Sequence, residues 1–129
     1  MGLELFLREN CQKAEKRRVV ISERFQENGV PVEWVLRPIT AAKEEEIRRS
    51  CTENGGLDVY RYCGRLCEES VLYPDLKNAS LQDSYGVMGG AALLKAMLNG
   101  GEYVFLVRQV EEVNGFGQSE RTLADEAKN

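Results

Sequence analysis

Apolar and polar positions along this chain change period several times, and each change marks an element. Leu3, Phe6 and Leu7 recur at i, i+3 and i+4, the stripe of a short N-terminal helix ending near Asn10. From residue 19 the period becomes two, where VVISERF and VPVEWVLRPI flank Asn28-Gly29. Asn-Gly between two alternating runs predicts a β-hairpin spanning about 19–37, because both central residues of a type I′ turn take positive φ. With that loop, Phe25 faces Val32, Glu23 faces Trp34 and Ile21 faces Leu36, which puts the large apolar side chains on one face. The opposite face pairs Arg24 with Glu33. Glu23 is the misfit on the apolar face and is expected at the sheet rim, beside the Trp34 ring edge.

Beyond the hairpin the pattern is helical. Pro38 ends the strand, and Thr40 is placed to cap a helix over about 41–53. Glu44 with Arg48 and Glu45 with Arg49 are i, i+4 pairs on its solvated face, leaving Ile47 and Cys51 on the buried side. Asn54-Gly55-Gly56 supplies the left-handed residue that stops it. A second helix is expected over 57–72, with Tyr60, Gly64, Cys67 and Val71 at helical spacing and Pro74 closing it. Ser80 with Asp83 reads as the start of a short helical turn that ends at Gly86. Gly89 and Gly90 lead into a helix over 91–98 with Leu94, Met97 and Leu98 as its core stripe. Tyr103, Leu106, Val107, Val110 and Val113 then repeat as an amphipathic helix that Gly115 can cap. The fold class expected is therefore α+β: an N-terminal helix and a β-hairpin, then a bundle of about four helices. A single domain over 1–116 is followed by a polar, flexible tail over 117–129.

Composition changes this picture little. A chain of 129 residues has room for one core, and no apolar run approaches the ~20 residues of a membrane helix. The N-terminus MGLELFLREN lacks the layout of a signal peptide, so a soluble, cytoplasmic protein is expected. A net charge of −4 argues against a phosphate backbone as partner. The basic cluster of Lys13, Lys16, Arg17 and Arg18 reads as a solvated link.

Candidate chemistry is sparse. The chain has no histidine, the usual base for a cysteine or serine nucleophile. Of its four cysteines, Cys63 and Cys67 are four apart and would share one helix face as half of a metal site, but Cys11 and Cys51 lack the paired short spacing of common zinc sites. Free thiols, with no metal and no cofactor, are the expectation. Glu44-Glu45-Glu46 and Glu111-Glu112 read as solvent-facing helix positions, and Gly86, Gly89 and Gly90 fit no phosphate-binding fingerprint. No enzyme is expected, and binding another protein is the function that composition leaves.

Two segments carry more. RF-(x)3-GVPVEWVLRPIT over 24–40, and YPDLKNASLQDSYGV running on through ALLKAML to NGGEYVFLVRQVEEVNGF over 73–116, keep an order and spacing that resembles the XkdN-like tail assembly chaperones of tailed phages and prophages. The positions that carry it are Trp34, Arg37, Pro38, Ile39 and Thr40, then Pro74, Asp75, Leu76, Leu81, Gln82, Asp83, Ser84, Tyr85 and Gly86. The resemblance implies a non-enzymatic chaperone in the bacterial host cytoplasm. Its implied partners are the tape measure protein and the tail tube protein, and self-association stays open. It also implies that many such chains exist in a second, frameshifted length, with any extension beginning after Phe116. A structural tail or head-completion protein retained in the particle is the alternative. The ends of the last two helices, with Tyr103, Leu106 and Phe116, are the expected partner-binding region.

Apolar periodicity ends at Phe116. A truncation after residue 116 is accordingly expected to melt within a few degrees of the full chain, as followed by circular dichroism.

Overall fold

The computed structural model of the chain describes residues 2–116, so the polar tail expected over 117–129 lies outside the described residues. The N-terminal segment is helical but forms a 3-10 turn over Leu3–Phe6, and Leu3, Leu5, Phe6 and Leu7 all remain exposed. The i, i+3, i+4 stripe packs on nothing in its own domain core.

The chain enters the domain through β1 (Arg17–Val19) and reaches the turn through β2 (Gln26–Glu27). Asn28 and Gly29 take φ of 53° and 79°, as the type I′ turn requires. The return leg is β3 (Val30–Pro31), with Glu27 opposite Val30, and then β4 (Trp34–Leu36). Near the loop the expected register holds, and the Val32 N–H donates to the Phe25 carbonyl at 2.8 Å. Further from the loop it changes. Val19, not Glu23, stands opposite Trp34, and Arg17 stands opposite Leu36. The shift is four residues, an even number, so the apolar face survives it. Residues between β1 and β2 leave the ladder, with Ser22 Oγ accepting from the Arg24 N–H at 3.2 Å. Desolvating a carboxylate against Trp34 is costly, and the excursion leaves Glu23 in solvent.

Thr40 caps α1 (Ala41–Ser50) through a bond from the Lys43 N–H, and Glu44–Arg48 and Glu45–Arg49 pair as expected. Ile47 and Cys51 are fully buried. The next segment corrects the expected helix stop. Asn54 and Gly55 take φ of 52° and 78°, a second turn of the same type, joining β5 (Thr52–Glu53) to β6 (Gly56–Leu57).

Asp58 then caps α2 (Val59–Ser70), which is shorter than the expected 57–72. Gly64 and Cys67 face the core, whereas Tyr60 is 84% exposed despite its helical spacing with them. Val71–Tyr73 is not helix but β7, an antiparallel partner of β4. A β-branched and aromatic run ahead of Pro74 suits an edge strand better than a helix end. The three-stranded sheet is ordered β1-β4-β7.

Asn78, not Ser80, caps α3 (Ala79–Ser84). It is followed by α4 (Gly90–Met97) and α5 (Gly100–Val113), the latter opened by a reciprocal capping box between Asn99 and Glu102. The result is an α+β domain with five α-helices. One core joins Trp34 and Leu36 of β4 to Leu66 and Cys67 of α2, Leu93, Leu94 and Met97 of α4, and Leu106 and Val110 of α5.

Gly64 lets α2 approach α4 closely: a Cβ there would lie 3.3 Å from the Ala91 Cβ and 3.4 Å from Lys95 Nζ. Gly90 sits under Glu68 in the same seam, its N–H donating to Glu68 Oε1 at 3.1 Å.

Leu106 has no exposed surface. Leu106→Ala is expected to cost ~2–5 kcal/mol, read as a lower midpoint in urea unfolding. Gly64→Leu is expected to cost ~1–3 kcal/mol by forcing α2 from α4.

Candidate functional site

An apolar concavity opens where the β2–β3 hairpin, the end of β7, α3 and the end of α4 meet. It encloses about 400 Å³, within the ~300–1,000 Å³ typical of binding pockets. The hairpin side supplies Phe25, Val32 and Trp34, and the far side Tyr73, Leu81 and Tyr85. Phe25 and Trp34 pack tilted, with ring centroids 6.5 Å apart.

Hydrogen bonds fix both walls. Arg24 donates to Glu102 Oε1 at 2.6 Å and to the Met97 carbonyl at 2.8 Å, drawing the excursion after β1 onto the α4–α5 junction. Its guanidinium also lies 5.3 Å from the Phe25 ring centroid. The expected Arg24–Glu33 pair is replaced by this one, because the excursion removes Arg24 from the ladder. The hydrogen bond from Arg24, with further bonds from Ser22 and the Asn99 backbone, holds the Glu102 carboxyl down at about 2.

On the other wall Gln82 acts as a clamp. Its Nε2 donates to the Leu76 carbonyl at 2.8 Å, and its Oε1 accepts from the Gly89 N–H at 3.0 Å. Gln82 thereby sets the loops on both sides of α3, from which Leu81 and Tyr85 enter the groove. Asp75 Oδ1 accepts from the Lys77 N–H at 3.1 Å and shapes the turn into that helix.

The order of two sequence segments now has a spatial meaning. All ten lining residues lie within 24–40 and 73–116, the two segments that carry the family resemblance. The model of the phage XkdN-like tail assembly chaperone family matches residues 3–128. The chain belongs to this family. It is 31% identical to XkdN of the phage-like element PBSX of Bacillus subtilis (strain 168), over 98% of this chain and 93% of that protein. It is 28% identical to YqbN, an uncharacterized protein of the same strain, with the same coverage. A crystal structure of YqbN superposes with a TM-score of 0.84 at 30% identity, covering 90% of this chain and 98% of that one.

Family motif residues outside the groove close the structure. The Arg37 N–H donates to the Ser70 carbonyl at 2.8 Å. The Ile39 N–H donates to Asn114 Oδ1 at 2.8 Å, and Asn114 Nδ2 donates to the buried Ser70 Oγ at 3.1 Å. Thus the Arg37–Thr40 segment is fastened to the ends of α2 and α5 while it caps α1.

Of the residues expected to bind a partner, Leu106 lies wholly inside the core. A side chain with no exposed surface has none to offer. Tyr103 and Phe116 are half-buried against the same core. The Tyr103 hydroxyl is buried without a hydrogen-bond partner, and burial pushes it up to about 12. None of the three lines the groove. Exposed apolar surface on α5 is instead at Val104 and Phe105. Sequence reasoning missed the groove because its residues come from loops and strand ends, where no single period reveals a shared face. The signal that pointed to them was the motif order.

The cysteines are free thiols. Burial pushes Cys63 up, and Cys67 up to about 12, away from the reactive thiolate. Among the described residues no three metal-ligating side chains come together, and no helix is long and apolar enough to cross a membrane. The groove offers apolar surface, aromatic rings, the Gln26 amide and one guanidinium.

Glu102 is depressed on folding, so its contribution is present above its ordinary 4.5 and is lost as pH falls through about 2. Glu102→Gln keeps a capping side chain but not the charge. The melting-temperature gap between wild type and this variant is expected to be full above pH 4.5 and to narrow steadily toward pH 2.

Proposed function

We propose that the protein is a non-enzymatic tail assembly chaperone that binds the tape measure protein in the cytoplasm of a bacterial host and promotes its assembly with the tail tube protein. Family membership supports the chaperone role in general. The observation that carries the client site is the convergence of both family segments on one apolar groove. A long helical client presents apolar side chains at helical spacing, and a groove that accepts them needs no chemistry. The partly exposed rings of Phe25, Tyr73 and Tyr85 give adaptable, sequence-tolerant contact, which a client with many similar segments requires. The exposed Val104 and Phe105 of α5, beside Tyr103, extend the apolar surface toward the partner-binding region expected from sequence.

The experiment is co-expression with the tape measure protein, scored as soluble client at matched expression. Wild type is expected to raise the soluble fraction. Tyr73→Glu, which charges an exposed groove residue, is expected to weaken client binding about tenfold, ~1.4 kcal/mol, with its melting temperature unchanged. Equal client solubility with and without the protein would move the assignment to a structural component of the particle.

A further inference from the structure

We propose that residues 3–7 of one copy occupy the groove of a second copy, so that the chain caps its own binding site until a client displaces the arm. The pairing stands on geometry alone; its role as a cap rests on reading the groove as the client site.

The arm is a small folded knob with nowhere to go in its own domain. Leu3 and Phe6 are 82% and 81% exposed, and Leu5 and Leu7 are exposed beside them. Its hydrogen bonds run within 2–11: Asn10 Nδ2 donates to the Glu4 carbonyl at 2.7 Å, and the Asn10 and Cys11 N–H groups donate to the Leu7 carbonyl. Four large apolar side chains in five residues, preordered and solvated, are the composition of an anchor rather than a tail. The groove is the matching receptor, apolar and open, with Arg24 as the charged side chain lining it. The arm carries Glu4 between Leu3 and Leu5, an acid to meet Arg24 Nη1, since the bonds to Glu102 and the Met97 carbonyl use only Nε and Nη2 of that half-exposed guanidinium.

The fold decides between the chain's own groove and a neighbour's. Arg17, where β1 begins, contacts Glu112 at the C-terminal end of α5, whereas Arg24 beside the groove contacts Glu102 at its N-terminal end. Ten residues of helix separate the two ends by ~15 Å. β1 runs from the first toward the second, so the arm leaves the domain at the end away from the groove. Returning in the same molecule would require a reversal within 11–16, CQKAEK, which holds no Gly, Pro, Asn or Asp to make a tight turn. Reaching a second molecule requires none. Arm at one end and receptor at the other is a heterologous interface, which joins copies head to tail.

The test is sedimentation velocity on the full chain from low micromolar to hundreds of micromolar. Wild type is expected to rise above its single-chain mass of 14.6 kDa with concentration. Leu3→Asp/Phe6→Asp, altered only at exposed positions, and Tyr73→Glu are each expected to stay at single-chain mass with unchanged melting temperature. Mixed, these two variants are expected to form a one-to-one pair, since one keeps the groove and the other keeps the arm. A wild type of single-chain mass throughout, or an arm variant that still associates, overturns the proposal. So does a shift in Trp34 fluorescence on arm substitution without a change of mass, which would place the arm in its own groove. Client solubility separates the two readings. The arm variant is expected to solubilise client at least as well as wild type, whereas client solubility indifferent to the protein would sink the chaperone reading and leave the pairing standing.

Discussion

Three strands of three residues cannot stand as a sheet alone, and the architecture follows from how this one is held. Trp34 and Leu36 point to the same side of the central strand and are buried beneath α2, α4 and α5. Burying two such side chains is worth roughly 3–6 kcal/mol, more than so short a ladder supplies. The helical layer therefore makes the sheet. The ends must then be fixed by other means, and Ser70 and Asn114 do this inside the domain by fastening the strand exit to two helix ends. Arg17 and Arg24 fasten the outer edge to α5. Both pairs are partly solvated, so their work is orientation more than stability.

The same constraint produces the groove. A continuous hairpin would press Glu23 against Trp34, and residues after β1 leave the ladder instead. That excursion frees Arg24 to reach Glu102 and the Met97 carbonyl. The strand irregularity and the binding surface are thus one event, and both trace to an acidic residue placed where the alternating pattern calls for an apolar one.

Much of this was legible in sequence where a signal is local and physical. Asn28-Gly29 fixed its turn because no other dipeptide takes two positive φ angles so readily, and Thr40, Glu44 and Glu45 fixed α1 by capping and charge spacing. The same dipeptide at Asn54-Gly55 was read as a helix stop, since strands of two residues leave no alternation to detect. Val71–Tyr73 was absorbed into a helix because helical spacing matched through Val71, and the pairing with β4 is a long-range fact. The N-terminal stripe shows the converse failure: periodicity reports which residues share a face, and cannot say whether anything covers it.

That limit bears on the partner region expected from sequence. Helical period in Tyr103–Val113 marks the positions that fill the core, so Leu106, the best match to the pattern, is the residue with least to offer a partner. The groove has the opposite character. It is assembled from strand ends and loops, where backbone groups left over from the helices need side-chain partners. Gln82 satisfies the Leu76 carbonyl and the Gly89 N–H, and in doing so sets Leu81 and Tyr85 against the groove. Motif residues that do not line the groove, such as Gln82 and Asp75, therefore shape it through the loops they close. Positions that close loops and positions that line the groove thus stand side by side in the same segment, as Gln82 stands beside Leu81.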